Sequence, residues 1–175
     1  CRAGAILGTM QAGYTDFKFL SDTSKKIFDR EALIGVSITG WMNNPDVLFD
    51  KKVLEKGAKI VKEINREVAA LLGINPAART TCVKPSGNAS VLLQTASGIH
   101  AEHSRMYIRN VQMTKDSEVT QAIQKANPYM VEDSVWSATN SDVVVSFPII
   151  PKKGSYVKED LIGVDHLEKV KLVQQ

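Results

Sequence analysis

Between Asp50 and Gly73 the apolar residues Leu54, Ala58, Val61, Ile64, Val68 and Leu71 recur at steps of three and four. That spacing puts them on one face of a helix. Asp50 is a good N-cap for it and Gly73 a C-terminal glycine stop. Residues 3–12, rich in Ala, Gly and Met, read as a packed helix ended by Gly13 and Tyr14. Residues 24–33 read as a second helix with Thr23 or Ser24 as its cap. Residues 88–94 form a short helix. Residues 117–126 are amphipathic on Val119, Ala122, Ile123 and Ala126, and Asn127-Pro128 stops them. A last helix is patterned on Leu161, Val164, Leu167, Val170 and Val173. Four β-rich runs stand between these: residues 34–40, 79–84, 107–113 and 142–149. Asn43-Asn44-Pro45-Asp46 and Asn75-Pro76 read as turns.

Helices alternate with strands, and the strands lack clean polar alternation. An α/β architecture is expected, with mostly parallel strands covered by helices. No repeat or low-complexity tract interrupts it. The chain opens on Cys1 rather than Met and runs out in a helical pattern at Gln175, so it reads as a single fragment, residues 1–175, of something longer.

Composition narrows the function classes only modestly. The chain is 43% hydrophobic and 23% charged, ordinary for a folded protein. A net charge of +3 is too small to argue for nucleic-acid binding. No apolar run suits a membrane span. Two cysteines make no disulfide framework and fit a reducing cytoplasm. Cys82, between Thr81 and Val83 in an expected strand, reads as a buried, inert thiol. Trp41 and Trp136 read as packing or loop anchors.

The stretch with most chemistry is Lys84-Pro85-Ser86-Gly87-Asn88-Ala89-Ser90. It runs from a strand through a Ser/Gly loop into a helix start, where free N–H groups attract anions. Gly87 would let a phosphate approach the backbone. Ser86, Asn88 and Ser90 could donate hydrogen bonds, and Lys84 could supply charge. The spacing is not that of a Walker A loop. A plain strand-to-helix turn with a capped helix is the competing reading. A second stretch, Gly98 to Arg105, holds His100, Glu102 and His103. Their spacing matches no strong zinc pattern, so no metal site is expected. A polar loop lining a cleft suits them better, with His100 donating and Arg105 and Arg109 facing phosphate. Both arginines could instead lie on a solvated strand edge.

Taken together, Lys84-Pro85-Ser86-Gly87, Gly98-Ile99-His100 and Tyr107-Ile108-Arg109-Asn110-Val111 resemble, in order and spacing, the adenosylcobalamin-dependent ribonucleoside-triphosphate reductases. Arg30 to Gly40 and Ser141 to Pro148 look like further strands of that family. The resemblance implies the C-terminal part of a ten-stranded α/β barrel. It implies radical reduction of a ribonucleotide, with residues 84–90 holding the substrate phosphates. It also implies adenosylcobalamin in the parent enzyme. The expected partners are the ribonucleotide and the remainder of the reductase chain. Asn88 departs from the family's Thr. Neither Cys1 nor Cys82 has Glu two positions on, so no catalytic residue is carried over. A non-catalytic nucleotide- or phosphate-binding module and a fragment of a diiron-dependent reductase large subunit are the competing classes. About four strands are too few to close a barrel. Open edges at residues 34–39 and 143–147 are therefore expected to drive self-association.

Overall fold

The computed structural model describes residues 1–175, Asn88 through its backbone alone. In chain order the elements are α1 (Arg2–Ala12), α2 (Asp22–Glu31), α3 (Pro45–Leu48), α4 (Lys51–Leu72), α5 (Asn88–Leu92), β1 (Tyr107–Thr114), α6 (Glu118–Ala126), β2 (Val131–Asp133), β3 (Asp142–Ile149) and α7 (Gly163–Gln174). They fall into two units: Cys1–Glu102 with Gly154–Gln175, and His103–Lys153. No helix among the described residues is long and apolar enough to cross a membrane.

In the larger unit α1 packs on α4. The face of α4 read from the sequence is buried or half-buried from Leu54 to Val68, with Val61 and Ile64 joining Ala5 and Ile34 in a first core cluster, whereas Leu71 at its end is 86% exposed. Asp50 accepts from the N–H groups of Lys52 and Val53 at 2.8 and 3.3 Å, and Gly73 closes the helix at φ +67°. α1 comes close to the extended chain beside it because two of its residues lack side chains. A Cβ on Gly4 would lie 3.1 Å from Val36, and one on Gly8 3.4 Å from Ile34. α2 starts earlier than expected, because Ser21 rather than Thr23 or Ser24 accepts the capping bond.

A polar thread crosses this apolar cluster. Thr9 Oγ1 donates to Ala5 O at 2.7 Å, Asn65 Nδ2 donates to Thr9 Oγ1 at 2.9 Å, and the Ala77 N–H donates to Asn65 Oδ1 at 2.9 Å. Thr9 and Asn65 are fully enclosed, so each bond satisfies a group that water cannot reach. A second cluster gathers Trp41, Met42 and Ile99, with Val170 and Val173 of α7 packed against it. At its rim the Lys169 ammonium lies 4.7 Å from the Phe49 ring and 4.9 Å from that of Tyr156.

The strands expected at 34–40 and 79–84 are extended but do not form a sheet. They meet in one parallel bridge, Val36 with Thr81, through Val36 N–H to Thr80 O and Cys82 N–H to Val36 O. Two parallel segments with no third strand make too few bonds to build a ladder. Cys82 is consequently exposed, not buried as its β-branched neighbours suggested.

The smaller unit holds the sheet, and it corrects the expectation of mostly parallel strands. The order is β1-β3-β2, antiparallel throughout, with Tyr107 opposite Ile149 and Val131 opposite Val145. β3 is therefore the central strand and not an open edge at residues 143–147. Its run of valines reflects that position: Val143 and Val145 are buried while alternate residues are less covered. β2 is three residues long and had no legible pattern. Trp41 is a packing residue, whereas the side chain of Trp136 is 85% exposed. On α6, Thr120 is fully buried and its hydroxyl has no partner among the described residues.

Two substitutions test this account by urea unfolding. Asn65→Ala strands the Ala77 N–H and should cost about 2–3 kcal/mol. Thr120→Val removes an unpartnered hydroxyl at constant shape and should be neutral or stabilising by about 1 kcal/mol. A clear loss of stability in the second would mean that the hydroxyl has a partner after all.

Candidate functional site

The loop that the sequence singles out leaves the Val36–Thr81 bridge, with the Lys84 N–H 3.4 Å from Ser37 Oγ. It turns at Pro85-Ser86 and enters α5. The N-cap is Gly87, which has no side chain to cap with; Ser86 Oγ, one residue earlier, accepts the N–H of Ser90 at 3.0 Å and ties the loop to the first turn. A hydroxyl that accepts one bond keeps its own hydrogen to donate. Ser90 is buried, and its hydroxyl turns back onto the loop, donating to Ser86 O at 2.8 Å. The capped-turn reading and the phosphate-loop reading are thus compatible, since internal bonds shape the loop without consuming every donor.

Gly87 is informative for what it does not need. Its φ of −74° and ψ of −68° suit any residue, and a Cβ there would meet nothing within 4 Å. Neither backbone strain nor packing inside this chain requires glycine. The N–H groups of Gly87 and Ala89 have no partner among the described residues. Lys84, Pro85, Gly87 and Ala89 are exposed.

Gly98 is the opposite case. Its φ is +53°, and a Cβ would lie 2.7 Å from Lys84 O and 3.1 Å from Pro85 Cα. The turn at residues 96–98 therefore rests directly on the start of the loop. A third segment holds that turn. Thr39 Oγ1 donates to Ala96 O at 3.0 Å and accepts the Gly98 N–H at 2.9 Å. The Gly40 N–H also reaches Ala96 O, and the Trp41 N–H reaches Gly98 O. Asn43 Oδ1 accepts the Ala96 N–H at 2.9 Å, while its Nδ2 donates to Glu102 Oε1 at 2.7 Å and lies 3.2 Å from Ser155 Oγ.

These partners separate the polar residues of the second stretch. Glu102 is 2% exposed and its carboxylate faces Asn43. His100 is exposed, with Nδ1 3.0 Å from Ser97 O, and its ring stacks on His166 at 5.9 Å. His103 meets the edge of Tyr107 at 5.7 Å. Arg109 Nη2 donates to Tyr107 Oη at 2.9 Å, within its own strand. Arg105 is exposed and belongs to the smaller unit. Thr39, Asn43 and Ser97 were missed by sequence reasoning. Only the Asn43 turn cluster drew notice there, and as a turn alone.

No family model matches the chain. It is 33% identical over 138 residues to the "Probable adenosylcobalamin-dependent ribonucleoside-triphosphate reductase" of Dictyostelium discoideum, an alignment covering 76% of this chain and 17% of that protein. It is 27% identical over 155 residues to the adenosylcobalamin-dependent ribonucleoside-triphosphate reductase of Euglena gracilis, covering 87% of this chain and 21% of the relative. The curated relatives of this chain are adenosylcobalamin-dependent ribonucleoside-triphosphate reductases. A crystal structure of a B-12-dependent (class II) ribonucleotide reductase superposes with a TM-score of 0.61 at 20% identity, over 85% of this chain and 24% of that one. That likeness shows a shared fold, consistent with the α/β class. The chain spans roughly a fifth of the length of the reductases it matches.

Gly98→Ala puts a methyl group against Lys84 O in a left-handed residue. It should cost about 1–3 kcal/mol and shift the amide resonances of residues 84–90. Unmoved loop resonances would show that the turn does not bear on the loop.

Proposed function

We propose that this chain is a segment of a ribonucleotide reductase and that it supplies the loop holding the substrate phosphates. The observation that carries this reading is the open backbone at Gly87. Unpartnered N–H groups lie where the order of motifs in the sequence, and the reductase relatives, lead one to expect a phosphate. Lys84, Pro85, Ser86, Gly87, Asn88, Ala89 and Ser90 form the phosphate loop in this reading, with His100 of the same unit as its cleft-lining residue. Oriented N–H groups and a lysine favour an anion without discriminating between bases. The loop therefore serves any ribonucleotide, and selection falls to the rest of the enzyme.

The parent fold is a ten-stranded α/β barrel in this proposal, with residues 1–175 one fragment of its catalytic domain. Residues 34–40 and 79–84, joined here at one bridge, gain ladder partners from the remainder of the reductase chain. The exposed Leu7, Phe19 and Leu33 fit surfaces that such a remainder covers, and the isolated chain self-associates through them. The free thiols Cys1 and Cys82 fit a cytoplasmic location.

Adenosylcobalamin is the cofactor of the relatives, by their names, and of the parent enzyme in this reading. The residues present here do not fit it. The groove along α1 and α2, about 600 Å³ and lined by Leu7, Tyr14, Phe17 and Phe28, is the size of a site for a drug-like molecule, well short of a corrinoid. No step is assigned to it on this chain.

Titration of the chain with a ribonucleoside triphosphate should move the amide resonances of Gly87 to Ser90 first. Movement elsewhere with these unmoved would displace the site. Gly87→Val, which fills the open space, should weaken binding by about tenfold or more, in line with the loss of a charge-assisted hydrogen bond. The chain alone should reduce no ribonucleotide when given adenosylcobalamin and a dithiol. Turnover that survives replacement of both cysteines by alanine would overturn the radical mechanism assigned to the parent enzyme.

A further inference from the structure

The loop has one carbonyl on which two side chains converge. Ser97 Oγ donates to Ser86 O at 2.7 Å, and Ser90 Oγ donates to the same oxygen at 2.8 Å. A carbonyl oxygen has two lone pairs, so its acceptor capacity is filled. The peptide that carries this oxygen also carries the N–H of Gly87. A trans peptide is planar, with C=O and N–H pointing to opposite sides. Fixing the direction of Ser86 C=O therefore fixes the direction of the Gly87 N–H. That N–H has no partner among the described residues, and the space that a Cβ on Gly87 would take is empty to 4 Å. Bonds accepted at the oxygen also polarise the amide and make its N–H a better donor.

Ser90 belongs to the loop and moves with it. Ser97 does not, because the residues on either side of it are tied to another segment through all four backbone groups. The Ala96 N–H goes to Asn43 Oδ1, and Ala96 O accepts from Thr39 Oγ1 and the Gly40 N–H. The Gly98 N–H goes to Thr39 Oγ1, and Gly98 O accepts from the Trp41 N–H. Ser97 is only half-buried, and its hydroxyl donates to Ser86 O. We propose that Ser97 is a positioning residue for the phosphate loop. It aims the Gly87 N–H at the substrate phosphate, while Thr39 and Asn43 hold the turn that presents it. This rests on the reading of residues 84–90 as the phosphate loop.

The test compares Ser97→Ala, Ser97→Thr and Gly87→Val with the unsubstituted 175-residue chain. Inorganic pyrophosphate is the probe, and binding is followed by the amide resonances well below the unfolding midpoint of each variant. Ser97→Ala should weaken pyrophosphate binding about five- to tenfold, the equivalent of one hydrogen bond, and should move the Gly87 amide nitrogen resonance even without ligand. Ser97→Thr keeps the hydroxyl and should restore both. If Ser97→Ala lowers the unfolding midpoint but leaves affinity and the Gly87 resonance unchanged while Gly87→Val weakens binding, the serine is structural and the positioning role is overturned. If the unsubstituted chain shows no pyrophosphate response at the loop, the phosphate-loop reading falls, and the proposal with it.

Discussion

The side-chain amide of Asn43 is a constraint that much of the larger unit depends on. Its oxygen takes the Ala96 N–H, and its nitrogen donates to the Glu102 carboxylate and reaches Ser155. The residues so joined lie 53, 59 and 112 positions away in sequence. A carboxylate as enclosed as that of Glu102 is costly unless donors face it. The amide answers that need and ties the stretch leading into α7 to the turn at residues 96–98 at the same point. Removing the amide would take a bond from Ala96, Glu102 and Ser155 at once, which is why a single residue can govern so much. The loop at residues 84–90 inherits its position from this node by way of Thr39, Gly98 and Ser97.

The same device appears a second time in the same unit. Asn65, Thr9 and the Ala77 N–H form a thread through the cluster of Ala5, Ile34, Val61 and Ile64. Both apolar clusters are small, and several large apolar side chains remain exposed. Small apolar cores can slide or repack with little penalty. A directional bond at the centre of each selects one arrangement. In one cluster this sets the distance between α1 and α4; in the other it sets the height of the turn beneath the loop.

How far the sequence was legible depends on the range of the forces involved. α4 could be read almost to the residue, since its face, its cap and its glycine stop all act within a few positions. The positions of α1, α6 and α7 were legible for the same reason. The extended runs at 34–40 and 79–84 were read from Val, Ile and Thr, but a strand needs neighbours as well as propensity, and here each has only the other. β3 was recognised, yet its place at the centre of an antiparallel sheet was not, because pairing order is a non-local property. In the site, Lys84 to Ser90 stood out through the local chemistry of a loop before a helix. Asn43, Thr39 and Ser97 did not, because their partners are far away in sequence and their types are common in ordinary turns. Gly98 could have been suspected from its place before Ile99-His100, but its contact with Lys84 O needs coordinates.

The two tryptophans divide between the two units, and their surroundings differ sharply. Trp41 is 3% exposed, donates from Nε1 to Ile38 O at 2.8 Å and lies 5.5 Å from the Phe49 ring, while Trp136 is 85% exposed. The intrinsic emission of the folded chain is therefore the sum of a short-wavelength component from Trp41 and a long-wavelength one from Trp136, and a soluble quencher removes the second first. When the larger unit opens, Trp41 shifts to the red. When residues 103–153 open, Trp136 is already in water and its colour changes little. Tryptophan fluorescence thus follows one unit of this chain and is nearly blind to the other, so a denaturation curve recorded that way reports the housing of the loop and not the sheet.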